Sequence, residues 1–331
     1  MICIITSSTD VHADRVEDLL KERSIEVIRL NSDDISPHNF LSFQIPSITV
    51  FSYKSGKKIY DLDKVNAYWY RKPEIWSTNY HKITTKEGLS IDFKLQEIKQ
   101  FYKSIMFEAE RKKIFCVSPL SSIFKSRNKI HQLLHAQELG FKVPDTIITS
   151  LPSEIEEFLK NHSGKGVIKA IDVGHIRFGK STKLYFTSPI NTKILRRISK
   201  NTTFDHPVLV QEQISKKIEL RITIIGQQVF ACSIDSQRLK TSKFDWRMAN
   251  MEKLPHVSFS LPDKIKRLCL ALCKIYRLQF GAIDMALTPD NQYVFFEINP
   301  NGQYLWIENQ TGLPLSESMA NLLTNPEKFS L

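Results

Sequence analysis

Two apolar runs near the C-terminal end, GAIDMAL and YVFFEIN, each carry one carboxylate and are separated by TPDNQ. β-branched and aromatic runs around a Pro/Asp/Asn cluster predict a β-hairpin. A turn symmetric about Asp290 and Asn291 sets Leu287 opposite Val294 and, counting back, Asp284 opposite Glu297. Side chains alternate with a period of two, so Asn299 shares the face of Glu297 and lies diagonal to Asp284. Like charges directly opposed, with Cβ atoms about 4.5–5.5 Å apart, destabilise a sheet unless a cation lies between them. Three oxygen donors without His or Cys suit a hard cation, and two carboxylates that leave room for water and phosphate suit Mg²⁺. Spacing alone leaves a plain surface ribbon open beside the metal floor.

The rest of the chain narrows the choice. Its 331 residues exceed one small core and fit two or three α/β domains. A net charge of +11 points to anionic partners, without choosing among nucleic acid, phosphate-bearing cofactors and acidic peptides. No RRM, KH or helix-turn-helix signature accompanies the charge, which argues against nucleic acid. Five cysteines, Cys3, Cys116, Cys232, Cys269 and Cys273, form no CxxC pair, which predicts a reduced, cytoplasmic chain. Cys269 and Cys273 sit among leucines and are read as buried thiols. No apolar run is long enough to span a membrane, and MICIITSS lacks the basic start of a signal peptide.

The N-terminal pattern is strand, helix, strand: MICIIT, then Val11 to Arg23, then Ile25 to Leu30. That is the start of a doubly wound α/β unit, without the GxGxxG of a dinucleotide site. A small hairpin is expected from Ile45–Phe51 and Lys58–Tyr60, then a strand ending in YWYRKP. Arg71 and Lys72 there either bind an anion at the mouth of the sheet or form a solvated strand end. A long amphipathic helix spans Leu89 to Lys113. Ser126 is expected to cap a helix that Gly140 stops, with His131 and His135 on its surface. Ser153 and Glu156 form a capping box for the next helix.

Lys169 is the one charged side chain of the run GVIKAI, so it must snorkel or meet an anion. The segment DVGHIRFGKSTKLYFTS, with Gly174 and Gly179, is a hairpin loop able to fold over phosphates, but no P-loop occurs. IELRITIIG and QQVFACSID, separated at Gly226-Gln227, should pair, with Glu219 and Arg221 on one face. Asp245-Trp246-Arg247 follows in a loop. A helix from Asp263 to Arg277 turns Ile265, Leu268, Leu272 and Ile275 inward.

QEQISKKIELRITIIG, SIDSQRLKTSKFDWR and GAIDMALTPDNQYVFFEINPNGQ, in this order and spacing, resemble the ATP-grasp peptide maturases, the graspetide synthetases of the microviridin and grasp-with-spasm type. The resemblance is strongest from Gln211 onward and moderate around YWYRKP and NKIHQLLHAQELGFKVPDT. It implies an α/β ATP-grasp fold: an N-terminal domain (1–116), a central lobe (117–206) and a C-terminal antiparallel-sheet lobe (207–331), with ATP clamped between the lobes. By position, Asp284, Glu297 and Asn299 would hold two Mg²⁺ ions. Lys129 and Lys169 would bind phosphates and the adenine side, and Gln211, Glu212 and Ile214 would line the adenine pocket. Glu219 would bind ribose, while Arg221 and Arg247 would stabilise the transferred phosphate. The segment from Asp172 to Thr182 is poorer in glycine than many ATP-grasp phosphate loops, so none of its residues is assigned a contact.

The implied activity is ATP-dependent closure of ester or amide links in a ribosomal precursor peptide with a leader and an acidic core, by a homodimeric cytoplasmic enzyme. No Ser-His-Asp or Cys-His set competes with that chemistry. Two rivals are an ATP-grasp ligase for free amino acids and a nucleotide-dependent peptide-binding protein without turnover.

Overall fold

The computed structural model describes residues 1–34, 36, 38–45, 50–73, 91–172, 175–178, 181–198, 203–250 and 254–331. The opening run forms strand β1 (Ile2–Thr6), every residue buried, as a strand covered on both faces of a parallel sheet must be. Helix α1 (Val11–Glu22) starts where the Asp10 side chain accepts the His12 amide and turns Ala13, Val16 and Leu20 inward. Strand β2 (Val27–Asn31) pairs parallel to β1. The expected small hairpin is a three-stranded sheet of β3 (Asn39–Gln44), β4 (Val50–Ser55) and β5 (Lys58–Asp61). Its middle strand begins at Val50 rather than Ile45, and residues 46–49 lie outside the described residues.

Strand β6 (Ala67–Tyr70) pairs with the other side of β1, and helix α2 (Ile91–Arg111) leads to β7 (Phe115–Val117). The order β2-β1-β6-β7 reverses at β1, which opens a crevice beyond the carboxyl ends of β1 and β6.

The helix expected after Ser126 is present, but a short helix precedes it and its cap is Asn128 rather than Ser126. Helix α3 (Leu120–Ser126) ends at that serine, whose buried hydroxyl turns back to the Ile123 carbonyl, and Asn128 caps α4 (Lys129–Leu139). Gly140 stops α4 at φ +92°, a conformation that glycine takes without strain. Strand β8 (Thr146–Thr149) precedes α5 (Pro152–Asn161). The predicted capping box is absent: Pro152, which has no N–H to satisfy, opens the helix, and Glu154 instead accepts the Thr149 hydroxyl.

Strands β9 (Lys165–Lys169), β10 (His175–Phe178), β11 (Ser181–Leu184) and β12 (Ser188–Asn191) follow, then helix α6 (Thr192–Ile198) and strand β13 (Val208–Glu212). β10 and β11 pair antiparallel as expected of that segment, while Gly174 and Gly179 lie outside the described residues. The central sheet has the order β12-β9-β13-β8 and is antiparallel throughout.

The C-terminal lobe contributes β14 (Ile218–Ile225), β15 (Gln228–Ile234), β16 (His256–Ser258), α7 (Asp263–Tyr276), β17 (Phe280–Leu287) and β18 (Tyr293–Asn299). Helices α8 (Leu305–Thr311), α9 (Leu315–Thr324) and α10 (Pro326–Phe329) complete it. Its sheet runs β16-β15-β14-β17-β18. Helix α7 covers one face with Ile265, Cys269, Leu272, Cys273 and Tyr276. Ile275, expected inward, is 42 % exposed because the two cysteines occupy the inner stripe. All five cysteines are free and buried.

The end domains share one apolar cluster, in which Ala13, Val16 and Leu20 of α1 join Met319, Leu322 and Leu323 of α9. That shared core sets the crevice of the parallel sheet against the loop that follows β18. Among the described residues no helix is long and apolar enough to cross a membrane.

Candidate functional site

The hairpin register explains how the two carboxylates meet. At the turn Leu287 faces Tyr293 and Ala286 faces Val294, one residue off the symmetric register. A bulge between Asp284 and Met285 absorbs Phe296 as the extra residue, and beyond it Asp284 faces Glu297 and Ala282 faces Asn299. The carboxylate pairing therefore holds for a different reason than turn symmetry.

Each carboxylate has its own nearest cation. On the neighbouring strand β14, Arg221 is the register partner of Asp284, and its Nη1 donates to both carboxylate oxygens at 2.8 and 2.9 Å. Arg221 is 6 % exposed, and its Nη2 also reaches the Gln303 carbonyl at 3.4 Å. Gly302 makes room for it, since a Cβ there would lie 3.0 Å from Arg221 Nη2 and 2.3 Å from the Ala282 Cβ. Opposite, Lys129, the first residue of α4, places Nζ 3.5 Å from Glu297 Oε2 and donates to the Ala170 carbonyl at 2.8 Å. Lys169, at the end of β9, stands 4.7 Å over the Phe296 ring.

These surroundings separate the two acids. Burial and the Glu297 charge raise the Asp284 pKa against the pull of Arg221. Burial works against Glu297 as well, but Lys129 and Lys169 outweigh it and hold its pKa low. Burial drops the Lys169 pKa to about 8, against the pull of Glu297.

The remaining candidates fall into two groups. Glu219, 6 % exposed, accepts from Lys216 Nζ at 2.7 Å, and burial raises its pKa. Arg247 lies in a 3-10 turn, where Nε and Nη2 clasp Asp245 at 2.8 and 2.6 Å. Burial opposes the Asp245 charge, and Arg247 more than offsets it. The charges of Glu297 and Asp284 also act on Arg247, which brings it into the same electrostatic cluster.

Gln211 and Glu212 lie on β13 of the central sheet. Gln211 is buried, donates to Thr146 at 2.9 Å and has an unpartnered Oε1. The Glu212 carboxylate accepts the Asp145 amide at 3.1 Å, and Ile214 is half-buried in the segment leading to β14. Asn299 is exposed, with Oδ1 accepting the Asn301 amide at 3.0 Å.

Sequence reasoning missed the residues that hold this cluster in place. Gln132, 2 % exposed, mimics a strand: Oε1 accepts the Ile298 amide at 3.0 Å and Nε2 donates to the Ile298 carbonyl at 2.9 Å. Ile298 lies between Glu297 and Asn299. Arg71 is neither a solvated strand end nor an open anion site, because it is 2 % exposed and its Nη1 donates to the Asn301 carbonyl at 2.6 Å. Lys216 and Asp245 could have been suspected from their spacing to Glu219 and Arg247.

Residues 125–323 match the RimK-like ATP-grasp domain family, which covers more than half of the chain. The chain belongs to the RimK-like ATP-grasp family. Ahead of its ATP-grasp domain, residues 1–123 match the MvdD pre-ATP-grasp domain. No curated protein sequence matches the chain. Among solved structures, a RiPP-associated ATP-grasp ligase of Chryseobacterium gregarium, in complex with ADP and a leader and core peptide, is similar at 29 % identity. The likeness covers 98 % of this chain and 96 % of that one, with a TM-score of 0.85. Macrocyclase MdnC of Microcystis aeruginosa MRC, bound with precursor peptide MdnA, is 26 % identical over 98 % and 100 % of the two chains, with a TM-score of 0.81. The ATP-grasp ligase PsnB, complexed with minimal precursor, Mg and ADP, shares the fold at 18 % identity and a TM-score of 0.75, over 99 % and 97 %.

The oxygen donors of the candidate cluster are of the kind that suits Mg²⁺. Asp284, Glu297 and Asn299 offer two carboxylates and one carboxamide oxygen, too few to close a coordination shell by themselves. A hard cation that keeps places for water and phosphate fits such an open set.

Proposed function

We propose that this ATP-grasp ligase is an ATP-dependent peptide macrocyclase that closes ester or amide links within a ribosomal precursor peptide. The observation that carries the reading is the convergence of Asp284 and Glu297 with Arg221, Lys129 and Lys169 in one cluster. Asp284, Glu297 and Asn299 hold Mg²⁺, two ions in our reading, which when bound neutralises phosphate charge. Lys129 and Lys169 bind the phosphates, Gln211, Glu212 and Ile214 line the adenine pocket, and Glu219 receives ribose. Arg221 and Arg247 face the transferred phosphate. The lobes divide at residues 1–116, 117–206 and 207–331, and the enzyme acts as a cytoplasmic homodimer.

A free carboxylate is a poor electrophile because oxide would have to leave. An Asp or Glu side chain of the peptide attacks the γ-phosphorus of ATP, and the bond to the β,γ-bridging oxygen breaks to give an acyl phosphate and ADP. The cations around the site offset the charge that develops on the phosphoryl oxygens. A Ser/Thr hydroxyl or Lys amine of the same peptide then attacks the acyl carbon, loses its proton and expels phosphate. The positive net charge attracts a core peptide rich in carboxylates.

With a cognate precursor, each link should remove one water mass and require both ATP and Mg²⁺, read by mass spectrometry of the peptide. A peptide of unchanged mass would refute cyclisation, and mass gained from a free amino acid would assign a ligase of the other kind.

A further inference from the structure

The parallel sheet of the N-terminal domain reverses its strand order between β1 and β6, and in open α/β sheets that crevice is where ligands bind. Here the chain fills it with a loop of its own. Arg71, directly after β6, donates from Nη1 to the Asn301 carbonyl at 2.6 Å. His12, on the first turn of α1, accepts the Tyr304 amide on Nε2 at 3.0 Å, and its ring meets the Tyr304 ring edge-on at 4.9 Å. His12 Nδ1 lies 3.2 Å from Asp10 Oδ1, so it carries the proton and leaves Nε2 free to accept. Asp10 Oδ2 takes the Thr6 hydroxyl at 2.6 Å and lies 3.8 Å from Arg71 Nε. Arg71 and His12 are 2 % and 5 % exposed, so both anchors are shielded from water.

The captured loop is the one that leaves β18. Its Asn301 amide donates to Asn299 Oδ1 at 3.0 Å, and its Gly302 packs against Arg221. We propose that the crevice is a socket in which Arg71 and His12 act as positioning residues. By clamping residues 301–304 they set Asn299 for the metal and leave Arg221 aligned on Asp284. The N-terminal domain thereby tunes metal binding in the other lobe without touching the nucleotide. This inference rests on the Mg²⁺-nucleotide reading of the site.

The test measures ADP affinity by calorimetry on the full-length protein, with Mg²⁺ and with EDTA. In Arg71→Lys, which keeps the charge but loses the guanidinium fork, the Mg²⁺-dependent gain in ADP affinity should fall at least fivefold, while affinity in EDTA changes less than twofold. His12→Ala should show the same signature. His12→Gln, whose Oε1 can take the place of Nε2, should restore the gain, which a merely structural loss would not do. A gain unchanged in both variants, or affinities that fall equally with and without Mg²⁺, would overturn the socket. Wild-type protein whose ADP affinity ignores Mg²⁺ would refute the underlying site reading instead.

Discussion

The two sides of the carboxylate pair are built differently. Asp284 is paired with one guanidinium delivered from the adjacent strand in direct register, the arginine side chain 7 % and the aspartate 15 % exposed. Glu297 faces two lysines delivered from elsewhere, one from the start of α4 and one from the end of the central sheet, and the Lys129–Glu297 pair is about a quarter exposed. A register partner holds its charge in place whatever the lobes do. Lysines from α4 and β9 hold theirs only while the central lobe and α4 stand over β18. The Arg221 side is thus part of one sheet, and the lysine side depends on the packing of α4 and the central sheet against β18.

The largest test of that contrast is stability. Neutralising Asp284 relieves the burial penalty and the Glu297 repulsion that raise its pKa, but it strips the counter-charge from buried Arg221, which stays charged, and that loss is the larger. Asp284→Asn should cost about 3 kcal/mol, whereas Glu297→Gln should cost under about 1 kcal/mol. Both should reduce turnover by at least ~10²-fold. Denaturant titration together with ADP release measures the difference, and equal destabilisation would erase it.

A smaller effect should come from Gly302→Ala. The added Cβ overlaps Ala282, crowds Arg221 Nη2 and touches the Asn299 carbonyl, so it acts on the arginine side and not on the lysines. Turnover should fall about tenfold, within the range for misplaced groups, while pH dependence set by Lys169 stays as in the wild type. A shifted pH profile in this variant would mean that the two sides are not separable.

The smallest effect is the pH response of the lysine side. Burial lowers the Lys169 pKa to about 8 from the usual 10.5. Between those values the unfolded chain binds the extra proton, so this group makes stability rise with pH from about 8 to 10.5 and lowers it below. In the proposed site the phosphates need the charged form, so ATP affinity should instead decline as pH rises through 8. ATP titrations from pH 7 to 9 should show the decline in the wild type and a flat response in Lys169→Arg.

The same contrast marks what the sequence reveals. The paired strands β14, β15, β17 and β18 are local patterns, and Asp284, Glu297, Arg221 and Glu219 stand out as the charged positions within them. Even there the register near the turn is one residue off, because a bulge at Phe296 leaves no signature in an apolar run. Gln132 looks like an ordinary polar position of an amphipathic helix, since its partner Ile298 lies 166 residues away. Arg71 is visible in YWYRKP, but its role depends on a carbonyl 230 residues later. Long-range backbone partners carry no residue-type signal, so the groups that align the site stay hidden while the groups that form it do not.

The central claim is that a peptide carboxylate is phosphorylated before the link closes. A precursor peptide whose Asp and Glu carboxyls carry heavy oxygen tests it directly, with the isotopic content of the released phosphate as readout. One labelled oxygen should pass into phosphate for every link formed. Unlabelled phosphate accompanying cyclised peptide would contradict the acyl-phosphate route and, with it, the role assigned to the cluster around Asp284 and Glu297.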